Sequence, residues 1–283
     1  MFTAPPLRRR IIGGALRRYR ENLGYTLDDA ARILECDRSK VSRIETGQRG
    51  IRGKELRELL TEYGIDGQQQ AILGAMADPR GARGRYGTYA DVLPEAWQDY
   101  LLLETAASRI LAYEAQRIPA LLQTPDYARA LAETDPGLAD DDARDRAVEA
   151  VLIRQNVILG ERKPDIHLII GEAALHQKVG GPEVMEGQFG LLAGVSGDSG
   201  VITVQILPFS SGAHAASGVG ALAILQFSEA PGLGVVHLGG AGGGICLESQ
   251  DDLADHARVF EQLRAFALSP AQSARVLRGQ TAS

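Results

Sequence analysis

Between Leu23 and Gly47 the sequence permits little other than two short helices joined by a tight turn. Thr26 precedes Leu27, Ala30, Ala31 and Leu34, apolar positions at i, i+3, i+4 and i+7 that line one face of a helix. The Thr26 hydroxyl is placed to accept from the amide three residues on, and Asp29 faces back, as a capping box with Asp in place of Glu requires. "ECD" leaves room for a turn only, and Asp37 then serves as the N-cap of a further helix whose Val41 and Ile44 point inward. Gly47 closes that helix. Ahead of the pair, Ile12, Leu16, Tyr19 and Leu23 recur at spacings of four, three and four, so a longer helix ends at Gly24.

The third helix has a defined outside. Arg38, Ser39, Ser42 and Arg43 lie on it, with Lys40 beside them near the helix start, where unpaired amides also favour an anion. A helix of this diameter fits the major groove of B-DNA, where arginine bonds guanine O6 and N7 in a fork and serine reaches a base edge or a phosphate. Whole-chain charge hides this basic surface, since the net charge is −6 at pH 7. Residues 1–60 hold 14 Lys+Arg against 8 Asp+Glu, a balance of +6, and the remaining residues carry −12. A basic head therefore sits on an acidic body. Arg49, Arg52 and Lys54 follow the reading helix and are placed to grip phosphates or to lie solvated, and Arg8, Arg9 and Arg10 could form an arm.

The stretch "LRRYRENLGYTLDDAARILECDRSKVSRIETGQRG" resembles the Xre-type helix-turn-helix of phage repressors and many bacterial regulators, over about residues 10–77. The resemblance implies an operator in double-stranded DNA, base contacts from Arg38, Ser39 and Arg43, and phosphate contacts from Thr26, Lys40, Ser42, Arg49 and Arg52. It also implies an ion pair between Arg20 and Glu45 that ties the first helix to the end of the third. Two positions depart from the pattern. Leu27 stands where many members carry a phosphate-binding Gln, and Glu35 stands where Gly often takes the left-handed turn conformation, at a cost of about 1 kcal/mol.

"MADPRGARGRYG" reads as a hinge, so the expected domains are a helical head over 1–77, a linker over 78–92 and a body over 93–283. In the body, helices are expected from about Glu95 to Tyr113, after "TPDY", and from about Asp140 to Leu159. "DIHLII", "VITVQIL", "GVGALAILQF", "LGVVHL" and "GGICLE" are β-rich runs separated by Gly, Ser and Pro, and "DDLADHARVFEQLRAFAL" returns to helical spacing. The body is thus an α+β unit with an antiparallel or mixed sheet. "YLLLETAASRILAYEAQRIPALLQTPDYARAL", "GEAALHQKVGG" and "VQILPFSSGAH" are similar to the C-terminal domain of an actinobacterial group of Xre regulators described as antitoxin-like. That resemblance implies a small protein partner encoded nearby. Ala120 replaces a Gly usual in the group's "PGLLQT".

Catalytic patterns are weak. "GDSGV" lacks a positioned His and Asp, so it reads as a turn between helix and strand. "GGAGGG" lacks the Lys-Ser/Thr of a P-loop and reads as a strand connection. Cys36 and Cys246 belong to no ligand pattern and are expected as reduced core residues, and the five His form no metal set, so neither metal nor cofactor is expected. His167 alternates with apolar residues in a strand and is expected exposed, whereas His214 in "FSSGAHAASG" is a candidate contact for a ligand or partner. No apolar run approaches the roughly 18 residues of a membrane span, and a cytoplasmic protein is expected. The leading expectation is a sequence-specific DNA-binding regulator, not an enzyme, that binds as a homodimer and receives a signal through its body. The alternative is a ligand-sensing or enzymatic body to which the head is a locator.

Overall fold

The computed structural model describes residues 6–78, 86–93, 95–198, 201–240 and 243–280. The head is all helical: α1 (Leu7–Asn22), α2 (Leu27–Ile33), α3 (Arg38–Glu45), α4 (Gly53–Glu62) and α5 (Gly67–Ala77). Gly24 and Gly47 take left-handed conformations, with φ of 69° and 74°, and let the chain leave α1 and α3 abruptly. Glu35 adopts φ 47° in the turn between α2 and α3 without glycine's freedom. Arg8–Arg10 are not an arm; they form the first turn of α1, because Leu7, Ile11 and Ile12 bury the face beside them. The expected hinge falls largely on residues 79–85, outside the described residues.

The body is built on a six-stranded sheet of order β3-β2-β1-β4-β5-β6: β1 (Arg109–Glu114), β2 (Asp165–Gly171), β3 (Ile202–Leu207), β4 (Ala221–Gln226), β5 (Gly234–Leu238) and β6 (Ile245–Leu247). β1, β2 and β3 run parallel, and the β1–β4, β4–β5 and β5–β6 pairs are antiparallel. The sheet is therefore mixed. Its helices are α6 (Glu95–Ala106), α7 (Pro125–Ala132), α8 (Asp141–Gln155), α9 (Ala173–His176), α10 (Pro182–Asp198), α11 (Gln250–Phe266) and α12 (Pro270–Gln280). Leu111, Tyr113, Ile169, Ile224 and Val236 pack on Phe260 and Leu263 of α11. Ile110, Ile166, Leu168, Val204 and Leu225 face the opposite way, toward α6 and α10.

Three expectations change. The helix expected through Tyr113 stops at Ala106, and "RILAYE" is the central strand β1. A short apolar run buried between two layers has no periodicity that separates helix from strand. His167 is buried, not exposed: it sits on a strand covered on both faces, its Nε2 is 2.6 Å from Gln205 Oε1, and Phe260 meets its ring edge-on. Cys246 is exposed on the edge strand β6 while Cys36 is half-buried. Of "GDSGV", Gly197 and Asp198 end α10, and Ser199 and Gly200 lie outside the described residues, as do Ala241 and Gly242 of "GGAGGG".

The head is docked on the body. Buried side chains of the head and of the sheet's α6/α10 face belong to one continuous apolar cluster. At Gly14 of α1 an added Cβ would lie 3.2 Å from the Ala230 side chain in the β4–β5 connection, and Arg10 pairs with Glu248 at 3.0 Å.

Candidate nucleic-acid interface

α3 is held from three sides. Gly13 lets α1 cross it closely enough that a Cβ there would meet Ile44 O at 2.4 Å. Arg20 of α1 forms a two-pronged ion pair with Glu45, at 2.7 and 2.9 Å, with both side chains buried. Its remaining Nη1 donates to the Tyr25 carbonyl at 2.7 Å, which ties the α1–α2 turn to the same guanidinium. The Glu45 carboxylate is the leading cause that raises the Arg20 pKa, so this charge persists at any pH at which the fold exists. Lys40 Nζ meets Glu55 Oε1 at 2.7 Å, and Glu55 Oε2 accepts from the Arg52 amide at 3.4 Å, which joins α3 to the start of α4.

The caps explain why these helices begin where they do. The Thr26 hydroxyl accepts from the Asp29 amide at 3.2 Å, and Asp29 Oδ2 accepts from the Thr26 amide at 2.7 Å. At Asp37 the N-cap position is occupied but the carboxylate makes no capping bond.

This frame leaves an outward basic face. Arg38, Ser39 and Arg43 are exposed, Arg43 Nε donates to the Ser39 carbonyl at 3.2 Å, and Arg38 stands only loosely paired, 3.9 Å from Asp28. Such side chains can extend into a groove at little cost in broken contacts. Arg49 and Arg52 are exposed beside them, and Ser42 is half-buried. Lys40 and Thr26, the other two expected phosphate ligands, have partners within the head. The Lys40 ammonium is engaged with Glu55, with less than a fifth of its side chain exposed, and the Thr26 hydroxyl donates to Asp29 Oδ2 at 2.6 Å.

Arg9, expected in an N-terminal arm, instead belongs to α1 beside this face. Its exposed guanidinium stands next to Gly50, and with Arg8 and Arg49 it lines a cavity of about 220 Å3 between α1, the α3–α4 loop and α5. No local pattern could have found this, because the residues are 40 apart. The candidate body residue, His214, is not among the residues around the basic face of α3. It lines an open cavity of about 290 Å3 with Tyr113, Glu172 and Phe209 at the C-terminal ends of the parallel strands. The backbone of its turn is tied by Ser217, whose Oγ accepts from the His214 amide at 3.0 Å and donates to its carbonyl at 2.8 Å. Its Nδ1 is buried and has no hydrogen-bond partner among the described residues.

Among the described residues no helix is long and apolar enough to cross a membrane. No curated protein and no solved structure matches the chain. Residues 11–72 match the family model of a helix-turn-helix domain, the DNA-binding unit of regulators, and they contain α2, its turn and α3. Residues 97–279, more than half of the chain, match the model of a domain of unknown function, DUF5753, and the protein belongs to that family.

Proposed function

We propose that this protein is a sequence-specific transcription regulator of the Xre type that works in the cytoplasm and has no enzymatic activity. It reads a two-fold symmetric operator as a homodimer. Arg38, Ser39 and Arg43 read base edges while Arg49, Arg52 and Ser42 hold the backbone, and the exposure of the first three on a helix clamped by Arg20–Glu45 carries the reading. A single short helix sees few base pairs, so pairing half-sites about one turn of DNA apart supplies the missing specificity. The acidic body receives the signal, from a small protein encoded nearby in an antitoxin-like arrangement or from a ligand, and its docking on α1 and α5 gives the signal a route to the head.

Operator titrations test this. Arg38→Ala and Arg43→Ala should each weaken cognate binding by about 1–3 kcal/mol and leave binding to random DNA nearly intact. Lys40→Ala, which removes the Glu55 partner, should weaken all sequences alike and reduce the salt slope by about one unit, because Lys40 leaves Glu55 for a phosphate when DNA binds. Equal losses for all three on cognate and random DNA would overturn the assignment of base readers.

A further inference from the structure

On the face of the sheet that also meets the head, α6, α7, α8 and the segment after β1 enclose a cleft of about 260 Å3. Its walls are mostly apolar, with Leu101, Leu131 and Val151 prominent among them, and Gln123 and the exposed Asp135 also border it. Two guanidiniums, Arg117 and Arg154, also line it, with Trp97. Both are held by carboxylates in the same way. Arg154 gives Nε and Nη2 to Glu104, each at 2.7 Å, and Arg117 gives Nε and Nη2 to Glu114 at 3.2 and 3.3 Å.

That arrangement uses one edge of each fork. Nη1 of each arginine makes no hydrogen bond among the described residues, so each guanidinium keeps one N–H2 group free to donate, and both side chains line the cleft. Arg154 is further fixed by stacking over Trp97, 5.3 Å from the ring centroid, and over Tyr100 at 5.9 Å. The donors are thus held in place before any ligand arrives, which reduces the ordering cost of binding. An acceptor with two oxygens suits donors of this kind, and a carboxylate is the match with the strongest hydrogen bonds. At about 30 Å3 per water-sized group the cleft holds roughly nine such groups, so the apolar part of the ligand is short.

We propose that this cleft is the body's signal site and binds a small amphipathic carboxylate, its oxygens on Arg117 and Arg154 and its apolar chain against Leu101, Leu131 and Val151. The signalling half of this proposal rests on the reading of the body as the receiver. α6 carries Trp97 and Leu101 into the cleft and also packs on α5 of the head, so an occupied cleft bears on the helix that supports the DNA-binding unit.

Octanoate is the probe, with 1-octanol and octylammonium as partners of equal chain length and different head. Calorimetry and thermal melting on the full chain, without DNA, should show one octanoate per chain and a raised melting temperature, with both controls at least about tenfold weaker. Arg117→Gln, at a half-exposed position, should weaken octanoate roughly tenfold and leave octanol unchanged. Ala147→Phe, which fills the cleft from α8, should abolish binding of both while the apo melting temperature stays near wild type. Octanol binding as tightly as octanoate, or octanoate binding undisturbed by Ala147→Phe, would overturn the site. Operator titration is the separate arm: octanoate should shift operator affinity several-fold, and by linkage the operator should shift octanoate affinity equally. Binding without that shift overturns the signalling role alone. Operator binding without octanoate binding overturns the cleft and leaves the regulator reading standing.

Discussion

Replacing Gly13 by alanine should loosen the head even though alanine is the better helix former. Gly13 lies in the interior of α1, where a glycine-to-alanine change usually stabilises by about 0.5–1 kcal/mol. Here the new Cβ would stand 2.4 Å from Ile44 O, 2.6 Å from Glu45 O and 2.8 Å from Glu45 C, all backbone atoms that no rotamer change can move away. Ordinary contact requires roughly 1 Å more, so α1 and the end of α3 must separate. Overpacking of this kind costs about 1–3 kcal/mol, which leaves a net loss of up to about 2 kcal/mol after the helical gain. The same shift displaces Glu45 from Arg20 and tilts the reading helix. Gly74→Ala in α5 is the control, since among the described residues nothing lies within 4 Å of its would-be Cβ, and it should gain about 0.5–1 kcal/mol. Urea midpoints followed by circular dichroism, with operator affinity measured alongside, would decide it. A Gly13→Ala protein as stable as wild type, with unchanged operator affinity, would show that the α1–α3 crossing is looser than its geometry indicates and refute the reasoning.

Three other outcomes are expected. Glu45→Ala leaves the buried Arg20 charge with only Glu21, 3.5 Å away, and should cost up to about 3–5 kcal/mol of stability, whereas Arg38→Ala, an exposed change, should cost under about 0.5 kcal/mol, both read from denaturation midpoints. Glu35→Gly relieves the φ 47° conformation and should stabilise the head by up to about 1 kcal/mol, visible as a raised melting temperature. Burial lowers the pKa of His167 and of His237, the latter set against Tyr100 and Trp97. The folded protein therefore refuses protons that the unfolded chain takes up. Stability should be flat above pH ~7 and fall as pH drops below about 6.5, and His237→Phe should flatten part of that fall in urea midpoints across the range.

The helix-turn-helix was legible because all its signals are local. The Thr26–Asp29 box, the apolar spacing of α2, and Gly24 and Gly47 at the helix ends each act within a few residues, and the chain adopts what they specify. The exposed face of α3 follows from the same spacing, since fixing Val41 and Ile44 inward leaves Arg38, Ser39 and Arg43 outward. The Arg20–Glu45 pair lies 25 residues apart, and the sequence offered it only through resemblance to other chains.

What only the tertiary structure decided is whatever depends on which layers cover a segment. "RILAYE" becomes the central strand because β2 and β4 flank it and helices cover both its faces, and burial on both sides erases the periodicity that would have marked it. The engagement of Lys40 by Glu55, and the burial of His167 under Phe260, depend on neighbours from other elements. The Glu104–Arg154 pair spans 50 residues, and in one dimension each is only a charged residue in a helix. Local hydrogen bonds and spacing suffice to write a capped helix, whereas the partner of a buried charge is fixed only when distant segments pack and water is excluded between them.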